Sequence, residues 1–87
     1  MWYVYILECD DQSLYTGITN DLVRRFEEHS QGKGGHFTKA FGAVRIVYQE
    51  EYLTKQEALK REAQIKRWTR KKKFALISGD KRLLKQV

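Results

Sequence analysis

The sequence contains a single cysteine and no apolar run long enough to cross a membrane. One cysteine cannot form an internal disulfide, which favours a reducing compartment and a fold that needs no cross-links. The most apolar segment, residues 1–7, is followed at once by Glu8, Asp10 and Asp11 and is not preceded by a basic region. It is therefore too short and wrongly flanked for a signal peptide or a membrane span. We expect a cytoplasmic protein that binds no membrane.

Several common catalytic and binding motifs are also missing. Residues 32–35, GKGG, lack the Lys-Ser/Thr ending of a phosphate-binding P-loop and do not follow a predicted strand, which excludes a nucleotide-triphosphate site of that kind. No Gly-x-Ser-x-Gly elbow is present. One cysteine and two histidines are too few for a zinc site of the usual kind.

Basic residues are scarce in the first half of the chain and abundant in the second. Residues 1–43 hold four basic and six acidic side chains, whereas residues 44–87 hold thirteen and five. In residues 66–73, KRWTRKKK, six of the eight side chains are cationic and Trp68 interrupts the run. Cations that release counterions, beside an aromatic ring that can stack, suit a polyphosphate partner. The alternative is a solvated helix whose charge serves solubility.

The pattern of apolar and turn residues predicts an α+β domain. The predicted elements are strands at 2–7, 14–18 and 43–52 and helices at 21–31, after Thr54 and at 70–77, in the order β-β-α-β-α-α. This order predicts a small three-stranded antiparallel sheet flanked by helices. We expect one domain over residues 1–79 and a polar tail over residues 80–87.

Side chains that cap backbone amides mark the starts of the predicted helices. The candidate caps, in chain order, are Thr19 or Asn20, Thr54 in a capping box with Glu57, and Thr69. Asp21 is then placed in the first turn of the first helix, where a negative charge is favourable. The last helix is expected to stop at Ser78-Gly79.

Arg25 and His29 lie side by side on the first predicted helix, at positions i and i+4. They border a predicted buried stripe that consists of Leu22, Val23 and Phe26. Arg24 points further round, towards solvent. A guanidinium matches a phosphate and an imidazole can move a proton near neutral pH. Taken alone, the helix favours the alternative of an ordinary surface pair, with His29 near a helix C-terminus.

Glu62 is conspicuous on the second predicted helix. At about 100° per residue, Ala58 and Ile65 lie close together, and Glu62 is near the middle of the apolar arc around them. That arc is completed by Leu59, Ala63 and Trp68. An unpaired buried carboxylate costs several kcal/mol, so we expect a reason for its presence. The alternative is a glutamate on the helix flank that pairs with Lys66 at i+4.

The two short strands place Tyr5 and Tyr15 near a glycine, Gly17. Tyrosines in strands usually serve packing, and Gly17 is weak evidence for the close approach of a backbone or a ligand. Side chains alternate across a strand, so both tyrosines share a face only if odd-numbered positions oppose one another. A loop of three or five residues, or a bulge, gives that register, and a four-residue loop does not. We predict the former.

Four stretches together resemble the GIY-YIG nuclease domain. They are YVY at 3–5, YTG at 15–17, RRFEEH at 24–29 and KREAQIK at 60–66. The resemblance covers residues 2–78 and is closest to the small stand-alone members of the family. Tyr3, Val4 and Thr16 replace the family's glycine and isoleucines at scaffold positions. The asparagine that many relatives carry beyond the helix glutamate has no counterpart here.

The resemblance implies a divalent-metal-dependent endonuclease whose site comprises Tyr5, Tyr15, Arg25, His29 and Glu62. Glu62 would bind one Mg²⁺ or Mn²⁺ ion, which would stabilise the leaving 3′ oxygen. Tyr5 would act as general base or relay, Tyr15 would hold the phosphate or the water, and Arg25 would stabilise developing charge. His29 would assist proton transfer or orient a tyrosine. Since a phenol has a pKa of about 10, we expect Arg25 and the metal to lower the pKa of Tyr5.

The implied substrate is nucleic acid, with DNA, branched or damaged, favoured over RNA. Contacts to it are expected from Arg24, His36, Lys39, Lys66, Arg67, Trp68, Arg70, Lys71, Lys72 and Lys73. An unidentified protein partner could supply selectivity, because the chain has no room for a separate DNA-binding domain. The alternatives are a nucleic-acid-binding module on the same scaffold that cleaves nothing, and a structural or partner-binding domain whose charge serves solubility.

Overall fold

The computed structural model describes residues 1–30 and 43–79 of the chain. Its elements are β1 (Trp2–Cys9), β2 (Leu14–Thr19), α1 (Leu22–Ser30), β3 (Ala43–Tyr52), α2 (Lys55–Lys66) and α3 (Arg70–Ser78). The α+β class and the order β-β-α-β-α-α are confirmed. None of the helices in these two ranges has the length and the apolar composition needed to cross a membrane.

The three strands form one antiparallel sheet in the order β2-β1-β3. The β1–β2 turn closes with two backbone hydrogen bonds, from the Cys9 amide to the Ser13 carbonyl at 2.9 Å and from the Gln12 amide to the Cys9 carbonyl at 2.8 Å. Gln12 has a φ of 69°, the left-handed conformation that commonly ends a three-residue hairpin loop. The loop is therefore odd in length.

The register that follows from this turn is the predicted one. Tyr5 lies opposite Gly17, and Leu7 lies opposite Tyr15. Odd-numbered residues of both strands therefore share one face of the sheet, and Tyr5 and Tyr15 are diagonal neighbours on it.

Even-numbered residues of β1 form the main core together with α2. Val4 and Ile6 are fully buried against Ala58 and Ile65, and apolar residues of α3 pack against the same cluster. Helix α1 covers the other face, where Tyr5 contacts the helix through a hydrogen bond. The sheet thus separates an apolar core beneath α2 and α3 from a layer beneath α1 that contains Tyr5 and His29.

The helix starts agree with the sequence at α2 and α3 and differ at α1. Thr54 accepts a hydrogen bond from the Glu57 amide, and Thr69 accepts one from the Lys72 amide. At α1 the cap is Asp21, whose carboxylate accepts from the Arg24 amide at 3.1 Å. Thr19 and Asn20 are therefore not the cap, because the helix begins one residue later than predicted. Gly79 ends α3 in the left-handed conformation, with a φ of 75°.

Two expected buried faces are narrower than predicted. Val23 was expected in the stripe of α1 but is 70% exposed. It borders a groove of about 660 Å³ between α1 and β3, which it lines with Leu22 and Phe26 rather than packing against the sheet. On α2, Leu59 and Ala63 are exposed, so the buried line is formed by Ala58 and Ile65.

Candidate active site

Tyr5 is the centre of a polar cluster on the α1 face of the sheet. Its side chain is buried, because it lies on the central strand beneath helix α1. The ring lies over Gly17 of the neighbouring strand, where an added Cβ would approach Tyr5 Oη to 2.6 Å and Tyr15 Cε1 to 3.1 Å. A side chain at position 17 would therefore displace Tyr5.

His29 forms a hydrogen bond with the phenol of Tyr5 from the helix side. Its Nε2 atom lies 2.9 Å from Tyr5 Oη, and the imidazole is fully buried. Burial and, to a smaller extent, the charge of Arg25 lower the pKa of His29 from 6.5 to about 4, against the opposing charge of Glu28. The imidazole is consequently neutral at pH 7. One of its ring nitrogens is then a hydrogen-bond acceptor.

Arg25 contacts the same phenol. Its Nε atom donates to Tyr5 Oη at 3.4 Å, and its Nη1 atom lies 3.8 Å from a carboxylate oxygen of Glu28. The side chain is 28% exposed and lines a groove of about 420 Å³ together with Arg24. The guanidinium therefore joins the buried phenol to a surface that a phosphate could reach.

The net effect on the pKa of Tyr5 is opposite to the expectation. Burial raises the pKa of Tyr5 to about 12, although the hydrogen bond from Arg25 lowers it. Arg25 does lower the pKa of Tyr5, as predicted, but burial raises it by more because ionising a buried phenol is unfavourable. Tyr5 is accordingly a neutral hydrogen-bonding group at pH 7.

Tyr15 completes the aromatic part of the cluster. Its ring centroid lies 5.0 Å from that of His29 and 6.4 Å from that of Tyr5. Tyr15 is half-buried, whereas Tyr5 is buried. The odd-residue register thus places two phenols on the same face, a buried inner one (Tyr5) and a half-buried outer one (Tyr15).

Glu62 lies on α2 and acts on Tyr5 through its charge. The helix packs against β1 and β2, and the Glu62 charge contributes to raising the pKa of Tyr5. The side chain is 18% exposed, and its Oε2 atom lies 3.4 Å from Lys66 Nζ. The i+4 pairing considered as an alternative is therefore present, and it coexists with the effect of the Glu62 charge on Tyr5.

The described residues fit only one kind of metal site. Among residues 1–30 and 43–79, no group of three or more His, Cys, Asp or Glu side chains could hold a metal ion. A cation held by protein side chains alone does not fit this part of the chain. The single carboxylate of Glu62 fits Mg²⁺ or Mn²⁺, because such ions take oxygen ligands, keep several waters and also bind substrate phosphates.

The cationic run of α3 lies next to this site. Arg70 Nη2 donates to the Gln12 carbonyl at 2.7 Å, so the start of α3 rests on the β1–β2 turn. The pKa of Lys73 is lowered, mainly by burial and also by the charge of Lys66. Because Lys66 also pairs with Glu62, the positive surface begins at the candidate metal ligand and continues along α3.

Trp68 is less available for stacking than its sequence context suggested. The ring is half-buried against the main core, with Arg61 at 5.1 Å and Lys72 at 4.3 Å from its centroid. Cations bind aromatic faces in this manner, so Trp68 holds two of them in place. His36 and Lys39, also expected to contact nucleic acid, lie outside the described residues.

Sequence reasoning undervalued Gly17. Its role was considered as an approach of a backbone or a ligand, whereas the close neighbour is the phenol of Tyr5. The odd-residue register allows Gly17 to lie opposite Tyr5, as it does with the observed three-residue loop, and this register was the signal that could have found it. Glu28 was not singled out either, although its position three residues after Arg25 allows the observed pairing.

The comparisons with known proteins agree with this geometry. A family model described as the GIY-YIG catalytic domain matches residues 1–75. The chain is 53% identical over 75 residues to UPF0213 proteins of Staphylococcus aureus strains Mu3 and Mu50, which covers 86% of this chain and 92% of each relative. The solution NMR structure of a UPF0213 protein from Bacillus halodurans is similar, with a TM-score of 0.59, 43% identity and coverage of 92% of this chain and 86% of that one. The chain therefore belongs to the GIY-YIG catalytic domain family.

Proposed function

We propose that this protein is an endonuclease that hydrolyses phosphodiester bonds in DNA with the help of one divalent cation. The observation that carries the proposal is the hydrogen-bonded arrangement of Arg25, Tyr5 and His29. It joins a cation, a phenol and a neutral imidazole on one face of the sheet, with Tyr15 against the imidazole and the Glu62 charge acting on the phenol. Family membership points to a nuclease-type hydrolase in general.

The hydrogen-bond directions favour a proton relay over a phenolate base. Arg25 Nε donates to Tyr5 Oη, so the phenol proton is directed to His29 Nε2, which accepts it when the imidazole carries its own proton on Nδ1. In the reaction, Tyr5 Oη takes a proton from the attacking water while its own proton passes to His29. The water oxygen forms the new bond to phosphorus as the bond between phosphorus and the leaving 3′ oxygen breaks, and the phenol remains neutral throughout. This route avoids ionising a phenol whose pKa is about 12.

The remaining groups stabilise charge and hold the substrate. Arg25 would donate hydrogen bonds to the nonbridging phosphate oxygens, where negative charge develops. Tyr15, the outer phenol, would position the phosphate or the attacking water. A divalent cation, Mg²⁺ or Mn²⁺, bound at Glu62 would act as Lewis acid towards the leaving 3′ oxygen.

Nucleic acid would be held by the positive surface that starts at Lys66. This surface comprises Lys66, Arg67, Arg70, Lys71, Lys72 and Lys73, and further candidates are Arg24, which lines the same groove as Arg25, His36 and Lys39. Contacts of this kind neutralise phosphates without reading sequence. Selectivity for branched or damaged DNA, or a protein partner, would therefore complement the domain.

The decisive experiment is a nicking assay with Mg²⁺ or Mn²⁺ on supercoiled, linear, branched and damaged DNA and on structured RNA. We expect metal-dependent nicking of DNA, and about 10²- to 10³-fold slower nicking by Glu62→Gln and by Arg25→Ala with the fold intact. Glu57→Gln, an exposed acid on the same helix, is the matched control and should cut at the wild-type rate. Undiminished nicking by Glu62→Gln would refute the metal role.

A second candidate is a nucleic-acid-binding module that cleaves nothing. The cationic surface of α3 favours it, because that surface exists independently of the Tyr5 cluster. In that case, affinity for DNA should fall steeply with salt and with Lys71→Gln/Lys72→Gln, while the wild-type protein never cuts any substrate in the panel.

A further inference from the structure

A second polar cluster lies on the opposite face of the sheet, centred on Glu50 of β3. Its carboxylate accepts from Tyr48 Oη at 2.5 Å and from Tyr52 Oη at 2.6 Å. Arg61 of α2 donates from Nε to both carboxylate oxygens, at 2.9 Å and 3.3 Å, and from Nη2 at 3.1 Å. Burial opposes ionisation, but these donors together lower the pKa of Glu50. The carboxylate is therefore a fully engaged anion within the fold.

Arg61 is held on every side. Besides Glu50, its Nη1 atom donates to Gln64 Oε1 at 2.7 Å, and its guanidinium lies 5.1 Å from the centre of the Trp68 ring. The Glu50 and Arg61 side chains are only 17% and 23% exposed. A planar guanidinium paired through two nitrogens fixes the geometry of the pair, which restricts the orientation of the helix that carries it.

The position of Arg61 on α2 gives this pair a functional consequence. The helix buries Ala58 and Ile65, which lie on a single line along its axis. Successive residues are about 100° apart, so Arg61 and Glu62 lie on the two sides of that line. Arg61 faces β3, while the Glu62 charge acts on Tyr5. Because these two buried residues lie on one line, they do not by themselves fix how far the helix is rotated about its axis. Contacts made by side chains on either side of the line must do so.

We propose that the Glu50–Arg61 pair fixes the rotation of α2 about its axis and thereby positions Glu62 for a divalent cation. Glu50 and Arg61 are positioning residues in this scheme, since both lie on the face of the sheet opposite the Tyr5 cluster. The inference rests on the proposed metal role of Glu62. Residues behind a metal ligand commonly change metal affinity about 10- to 100-fold when they are replaced. Here the support is transmitted through one turn of helix instead of through a direct hydrogen bond.

The test compares Glu50→Gln, Arg61→Gln and the double variant with the wild-type chain in two NMR measurements. Residual dipolar couplings of the α2 amides report the orientation of the helix against the sheet without metal. Mn²⁺ titration, followed by line broadening around Glu62, reports metal affinity. We expect each single variant to reorient α2 and to weaken Mn²⁺ binding about tenfold, and the double variant to be no worse than either.

A control separates positioning from general stability. Ala75→Gly weakens α3 at a buried position and touches neither Glu50 nor Arg61, so α2 orientation and Mn²⁺ affinity should stay at wild-type values. Unchanged α2 orientation in Glu50→Gln would overturn the inference, and so would a reoriented helix with wild-type Mn²⁺ affinity. If the wild-type chain shows no broadening at Glu62, the proposed metal role fails separately. The dipolar couplings alone then decide whether the pair orients α2.

Discussion

The two faces of the sheet carry polar clusters built from similar residues but with different acceptors. On the α1 face, Arg25 and Tyr5 lead to the neutral imidazole of His29. On the opposite face, Arg61 and two tyrosines lead to the carboxylate of Glu50. Both clusters include a tyrosine with a pKa raised to about 12, in each case mainly by burial. The chemical difference therefore lies in the acceptor.

The acceptor determines what each cluster can do. A carboxylate that accepts hydrogen bonds from four donor groups neutralises Arg61 within the fold and leaves a closed structural unit. A neutral imidazole cannot neutralise Arg25, whose guanidinium lies 3.8 Å from the carboxylate of Glu28. Because Arg25 is 28% exposed beside a groove, we expect an incoming anion to bind at the α1 face, and we expect the opposite face to hold a helix. The predictions below test this division, beginning with the largest effect.

The largest expected loss of stability follows from breaking the Glu50–Arg61 pair. Arg61→Met should lower the free energy of unfolding by about 3 kcal/mol or more, because it leaves a mostly buried carboxylate without its counter-ion. Arg45→Met is a matched control, since Arg45 pairs with Glu8 at 3.1 Å but is 66% exposed. That change should cost about 0.5 kcal/mol or less. Equal losses in urea denaturation would show that the Glu50 cluster is not a closed structural unit.

The next effect concerns pH and the α1 face. His29 has a pKa of about 4 in the folded chain against 6.5 as its ordinary value, so between these pH values only the unfolded chain takes up the proton. Stability should therefore fall as the pH is lowered from 6.5 to 4, by at most about 3 kcal/mol from this residue. His29→Gln should remove that part of the slope. The check is the pH dependence of urea unfolding for both proteins, and parallel curves would contradict a buried neutral imidazole.

Much of this architecture follows from local sequence. Thr54 and Thr69 start helices because a hydroxyl there satisfies a free amide, and Gly79 ends one because it adopts a positive φ. The placement of Tyr5 and Tyr15 on one face followed from a single property of the β1–β2 loop, its odd number of residues. The grouping of the site residues depended on the resemblance to a family, since each residue alone favoured a structural interpretation.

Other features depend on contacts between distant segments. The Glu50–Arg61 pair joins residues eleven positions apart on a strand and a helix, and no local pattern distinguishes it from a surface pair. Val23 is exposed because α1 turns His29 towards the sheet, which the apolar pattern alone did not indicate. The raised pKa of Tyr5 reflects how deeply the ring is buried, a quantity that the sequence does not contain.

The smallest expected stability effect tests the packing that gives the α1 face its shape. Gly17→Ala should cost about 2 kcal/mol, because a Cβ at 2.6 Å from Tyr5 Oη and 2.8 Å from Tyr5 Cζ forces the ring to move. That movement should also break the hydrogen bond between Tyr5 and His29, which is visible as a change in the imidazole nitrogen shifts. Gly79→Ala is the matched control: it adds strain at a positive φ but meets no atom within 4 Å, so the imidazole signals should not change. If Gly17→Ala leaves those signals at their wild-type positions, Tyr5 and His29 are not held together by the sheet, and the α1 face loses the geometric basis of its distinction from the Glu50 cluster.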